Sequence, residues 1–215
     1  SSIHGDMVSI PAIALARAIG SLLGLDGIYS TAADLLVGWD HDLKEDSSAA
    51  AVYGASTREL NKQLAIAAYG SLSAGVTGEA IDAGAEDQLR RQLKPDFIRR
   101  LRDGTLNEAP YGFDTSVIVE NAFKAGVDYL LARLGDDVSK WRWGDLHKTG
   151  HIHPLVRAYP DAADQLNPPR VEASGDGDVP FASGSPTPAE FTIKTGPINR
   201  YIHDPSNWSN GRWIV

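Results

Sequence analysis

Along the first 134 residues the apolar positions recur near a 3.6-residue spacing, and past that point the spacing is lost. Val8, Ile10, Ile13, Ala14, Ala16, Ile19, Leu22 and Leu23 predict a first helix with one broad packed face, capped by Asp6 and with Pro11 in its first turn. Gly24 or Gly27 is placed to end it. A second, shorter helix is expected from the Ser30-Thr31 cap through Leu35 and Leu36 to Trp39-Asp40. The Ala-rich stretch from Ala49 to about Ser73, with Val52, Leu60, Leu64, Ala67, Ala68 and Leu72, predicts the longest helix. Two helical pieces follow at Glu79–Leu93 and Pro95–Leu101, then a turn-rich connection from Gly104 to Gly112. Val117–Leu134 is amphipathic and ends at Gly135-Asp-Asp137.

The pattern changes at Trp141-Arg-Trp-Gly-Asp-Leu-His-Lys-Thr-Gly-His-Ile-His-Pro-Leu155, which holds two of the five tryptophans and three of the six histidines. Such a Gly-interrupted aromatic stretch is either a structural joint or the wall of a site. Counted from Pro154, near its end, the rest of the chain holds nine of the twelve prolines, which rules out long helices there. Short β-branched and aromatic runs remain at Phe191-Thr-Ile193, Arg200-Tyr-Ile-His203 and Arg212-Trp-Ile-Val215, and these predict strands. Three such strands do not make a stable sheet alone. They are expected to complete a sheet supplied mainly by other sequence. The organisation is therefore a helical region over 1–140, a Trp/His-rich joint over 141–157 and Pro-rich loops with short strands over 158–215.

Composition narrows the chemistry. A chain of 215 residues with 42% hydrophobic residues can bury a core. A formal charge of -8, with basic residues scattered apart from Arg90-Arg91 and Arg99-Arg100-Leu-Arg102, argues against a surface that tracks phosphates, so no nucleic-acid partner is expected. The absence of cysteine excludes disulfides, thiolate metal sites and a cysteine nucleophile. No apolar run approaches the roughly 20 residues that a membrane span needs. The opening Ser1-Ser-Ile-His-Gly-Asp6 has no Met, as expected of a processed or truncated start.

Several residue groups could carry chemistry. Asp145, His147, His151 and His153 could gather a metal, since imidazole and carboxylate are zinc ligands; their spacing matches no established signature, and histidines beside Trp and Gly more often serve a packed joint. Ser174-Gly-Asp-Gly-Asp178 alternates carboxylates and glycines like a calcium loop, with Asp176 and Asp178 as candidate ligands, but lacks the closing Glu of an EF-hand and reads first as a turn. Neither Gly-x-Ser-x-Gly nor Ser-x-x-Lys occurs. An N-terminal Ser can act as nucleophile with its own amine as base, which draws attention to Ser1.

Taken together, Asp6-x-x-Ser9, Trp39-Asp40, Asp46-Ser47, Trp141-x-Trp-Gly-Asp-Leu-His147, His153-Pro-Leu155, Gly175-Asp-Gly-Asp178 and Gly196-Pro-x-x-Arg200 resemble, in order and rough spacing, the C-terminal part of the large subunit of penicillin acylases. The resemblance implies an N-terminal-nucleophile hydrolase with an αββα core, matured by autocleavage of a precursor. Such enzymes hydrolyse amides of acylated amines, including β-lactam antibiotics and, in some branches, acyl-homoserine lactones. By resemblance the fold class is α+β: a mainly helical region over residues 7–134, then strands that complete an αββα core supplied mostly by other sequence.

Ser1 is followed by Ser-Ile-His-Gly-Asp and so matches no nucleophile motif of that family, and Val179 stands where the family pattern has Thr. This chain is thus expected to be an internal or C-terminal portion whose nucleophile lies elsewhere. Its expected partners are the small subunit, the N-terminal part of the large subunit and a small acylated amine. No cofactor is needed for the chemistry, and the resemblance admits a structural calcium. The residues nearest a role at the substrate entrance, by resemblance only, are His147, His153 and Arg200. A periplasmic or extracellular location is likewise implied. Two other readings stay open: a self-contained helical interaction domain, and a metallohydrolase built on the Asp145–His153 group.

Overall fold

In a computed structural model of the chain, the described residues are 6–69, 95–108, 112, 114–184, 191–193, 200–202 and 212–214. Three helices dominate the first half of the chain: α1 (Ile10–Gly20), α2 (Gly27–Asp34) and α3 (Ser48–Tyr69). Two more follow, α4 (95–103) and α5 (Thr115–Leu134). The expected helix over Glu79–Leu93 lies outside the described residues.

The start of α1 differs from the expectation. Its cap is Ser9, whose hydroxyl accepts from the Ala12 amide, while the Asp6 carboxylate accepts from the Val8 amide, ahead of the helix. The reason is long-range: Val8 forms an antiparallel bridge with Asp42, and the Ser9 and Leu43 amides donate to the His41 and Met7 carbonyls. That pairing holds residues 7–9 extended, so the helix can begin only after them. Pro11 falls in the first turn as expected, where its missing N–H costs nothing. The helix ends at Gly20, earlier than Gly24. Likewise α2 starts at Gly27 behind Asp26 and gives way to turns over 35–38, rather than running from Ser30 to Asp40.

The core is organised around α3. Residues 49–56 of this helix are buried without a break, which explains why the stretch is so rich in Ala: every side of it meets another element. Along one side lies α5, contributing Ile118, Val119, Ala122, Phe123, Val127 and Leu130. At their crossing Gly126 sits against the Ser56 backbone, and a Cβ there would lie 2.7 Å from the Ser56 nitrogen. Phe97 of α4 and Leu106 close the same core. Each such fully buried large apolar side chain contributes roughly 1.5–3 kcal/mol relative to exposure.

Asp114 caps α5 by accepting from the Ser116 and Val117 amides, and Gly135, at φ 87°, turns the chain out of the helix. The basic run on α4 is a solvated, ion-paired face: Arg99 and Arg100 both bond Asp96, and Arg102 bonds Asp103. From Pro154 on, the helices among the described residues are single turns, at Pro154–Arg157, Pro160–Ala162 and Ala163–Leu166. Two of the three expected strands are present as a small antiparallel pair, β1 (Arg200–Ile202) and β2 (Arg212–Ile214), with Tyr201 opposite Trp213. The third is not a strand: among the described residues Phe191–Ile193 makes a single parallel bridge, Ile193 to Thr149. The described chain is thus mainly helical with little strand. No described helix is long and apolar enough to cross a membrane.

Candidate functional site

Residues 141–150, the first part of the Trp/His-rich stretch over 141–157, bond both to the end of α5 and to segments of the Pro-rich region. Trp141, Trp143 and His147 are all buried. Trp141 donates its indole N–H to the Gly135 carbonyl at 2.8 Å, which ties the segment to the end of α5. Trp143 donates to the Gly175 carbonyl at 2.9 Å, and its ring lies over Gly54 of α3, where no side chain could fit beside it. Three backbone segments then grip the joint. The Trp143 and Gly144 amides donate to the Ser47 and Glu45 carbonyls, the Thr149 amide donates to the Val171 carbonyl, and the Ala173 amide donates to the His147 carbonyl. On the other side the Gly150 amide donates to the Ile193 carbonyl and the Ile193 amide to that of Lys148.

His147 stacks on Trp143 with ring centroids 4.6 Å apart. Its Nδ1 lies 2.9 Å from the Ala173 carbonyl and its Nε2 lies 3.2 Å from the Ser183 carbonyl. Burial pushes its pKa below the ordinary imidazole value, against the two carbonyls, which favour the charged ring. With both nitrogens facing backbone carbonyls, this histidine has no lone pair aimed at a ligand. It is the satisfied joint histidine of the two readings.

The other candidate ligands do not converge on it. Asp145 pairs with Lys148 at 3.5 Å, His151 is exposed, and His153 Nδ1 accepts from the Leu155 amide at the start of a helical turn. Among the described residues no group of three or more His, Cys, Asp or Glu could hold a metal ion. Asp176 accepts from the Asp178 amide at 2.7 Å, and the Asp176 carbonyl accepts from the Ser183 amide at 2.9 Å, so this stretch is a bonded turn. Its Gly175 has φ 79° and packs against Phe181, which leaves no room for a Cβ. Ser174 Oγ bonds the Glu45 carboxylate and accepts from the Glu45 amide, fastening this turn to the segment before α3. Arg200 stands in β1 opposite Ile214, away in sequence and pairing from the joint, and Ser1 lies outside the described residues.

Beside the joint is a cleft of about 290 Å³ between the end of α5, the turn at 145–148 and the 191–192 segment. Tyr129 and Phe191 form its aromatic wall, with ring centroids 5.9 Å apart at 66°, and Phe191 is held from behind by Trp143 at 5.4 Å. Arg133, Lys148 and Arg170 line it together with the single carboxylate of Asp145. Sequence reasoning missed this group, because its members are spread from Tyr129 to Phe191 and carry no local spacing signal.

The sequence model of penicillin amidase matches residues 1–215, and the chain belongs to that family. It is also 28% identical over 220 aligned positions to the penicillin acylase 2 proenzyme of Pseudomonas sp. (strain SE83), an alignment that covers 100% of this chain and 26% of that protein. The chain therefore spans about a quarter of the length of the curated relative that it matches.

Proposed function

We propose that this chain is the scaffold part of an amide hydrolase that cleaves the acyl group from an N-acylated amine. In this reading the nucleophile is an N-terminal Ser outside the chain, its amine relays the proton, and backbone and Asn donors hold the oxyanion. The observation that carries the reading is the match to penicillin amidase along all 215 residues, in a chain whose joint histidine has both nitrogens occupied by backbone carbonyls. The chain supplies the packed helices around α3, and β1 and β2 add to an αββα core whose other strands come from elsewhere. The relative's name, a proenzyme, supports maturation from a precursor. The remaining partners are then the small subunit and the N-terminal part of the large subunit, in a periplasmic or extracellular enzyme. The substrates fall among β-lactam antibiotics and acyl-homoserine lactones, with corresponding roles in antibiotic chemistry or quorum quenching.

Intact mass of the native protein tests this. A second polypeptide that begins with Ser, together with hydrolysis of a chromogenic phenylacetyl or fatty-acyl amide, is the expected result. Absence of both activity and processing in the native protein rules the proposal out.

A further inference from the structure

The geometry of the cleft beside the joint points to a binding site for a small monocarboxylate with a compact apolar body. The chain carries a net charge of -8, yet Arg133, Lys148 and Arg170 converge here against one carboxylate, Asp145. Lys148 is already engaged, 3.5 Å from Asp145 and 3.7 Å from Glu172. The two guanidinium groups are not. Among the described residues neither Arg133 nor Arg170 has a carboxylate partner, and Arg133 rests only on the Tyr129 ring, 5.1 Å from its centroid. Guanidinium groups match a carboxylate in plane and can bond both its oxygens, which is the strong form of charge-assisted hydrogen bond.

The aromatic wall supplies the other half of the recognition. Phe191 is fixed edge-on between Tyr129 and Trp143, so an apolar body meets a preformed surface and orders little on binding. A volume of about 290 Å³ lies at the small end of the roughly 300–1,000 Å³ typical of ligand pockets, which favours an acid with one ring or a short branched chain over a larger ligand. Cations above an aromatic wall, on a chain that is otherwise acidic, select an anion and turn away a neutral isostere.

Crystals of the intact native protein soaked with 4-bromobenzoate test the assignment, because the anomalous bromine signal locates the ligand directly. Bromine is expected in the cleft with the acid and not with 4-bromobenzamide, its neutral counterpart. In solution calorimetry, Arg133→Ala/Arg170→Ala should weaken 4-bromobenzoate binding by at least about tenfold. Asp145→Asn, which removes the carboxylate that lines the cleft, should tighten it. Equal occupancy by the amide overturns the inference, as does a cleft without bromine, a cleft filled by another segment of the native protein, or an affinity indifferent to either variant. The readout is binding alone, so it stands or falls separately from amide hydrolysis.

Discussion

The Trp143 ring occupies the space that a side chain at position 54 would need: a Cβ built on Gly54 meets the six-membered half of the indole. Two effects of Gly54→Ala oppose each other. Alanine in a helix interior gains up to about 1 kcal/mol over glycine. Forcing a methyl group against a buried ring costs about 1–3 kcal/mol, and Trp143 cannot retreat because its N–H is bonded to Gly175 and its ring is stacked on His147. Overpacking wins. Urea unfolding of the native protein should show Gly54→Ala destabilised by roughly 1–2 kcal/mol, and a midpoint at or above that of the parent would contradict this packing.

A sharper version holds at Gly126, where α5 crosses α3. Here the added Cβ meets backbone, with the Ser56 nitrogen at 2.7 Å and the Ala55 carbonyl carbon at 2.9 Å, so no rotamer change relieves it. Gly126→Ala should cost more than Gly54→Ala, about 2–3 kcal/mol, because two helices must move apart. The comparison is Gly20, also helical, where nothing lies within 4 Å: Gly20→Ala should be neutral or stabilising. Thermal melts of the pair side by side check the prediction, and equal effects would defeat it.

Position 9 separates a local reading of the sequence from a structural one. Asp6 looked like the cap of α1 because Asp is a good cap and precedes the apolar run. Ser9 is the cap in fact, fully buried, with its hydroxyl also 3.3 Å from that of Tyr53. Ser9→Ala should therefore cost about 1 kcal/mol, the usual value of a lost cap, whereas Asp6→Ala should leave the unfolding midpoint unchanged. The reverse order of effects in denaturant titrations would return the cap to Asp6.

That case shows what could be read from the chain alone. The α3 and α5 helices were legible because their apolar periodicity is local, and Pro11 marked the first turn of α1 for the same reason. Tertiary pairing was invisible to periodicity. The bridge from Val8 to Asp42 moved the start of α1, and the parallel bridge from Ile193 to Thr149 replaced an expected strand. In the joint, composition gave away the buried Trp141, Trp143 and His147, because large aromatic residues beside glycines need partners close by. The segments that grip it, 45–47 on one side and 171–173 on the other, lie far off in sequence and share no pattern with it. The cleft was hidden for the same reason, since Arg133, Lys148 and Arg170 meet only through the fold.

His147 makes the stability of this region depend on pH. The neutral ring carries one N–H and so serves one of the two carbonyls that face it, Ala173 or Ser183. Protonation would serve both, but burial against Trp143 outweighs that gain and holds the folded pKa below the ordinary imidazole value. Between that lowered value and about 6.5, where an unfolded histidine titrates, the unfolded chain binds the extra proton and the folded chain does not. Stability from this residue is thus fully present above about pH 6.5 and is lost as the pH falls through that window, by at most about 1.4 kcal/mol per pH unit. His147→Asn keeps a short donor near Ala173 but cannot titrate. Although less stable overall, this variant should lose less stability than the parent between pH 7.5 and 5.5. Urea titrations at the two pH values measure the difference, and parallel losses in parent and variant would show that folding does not lower the pKa of His147.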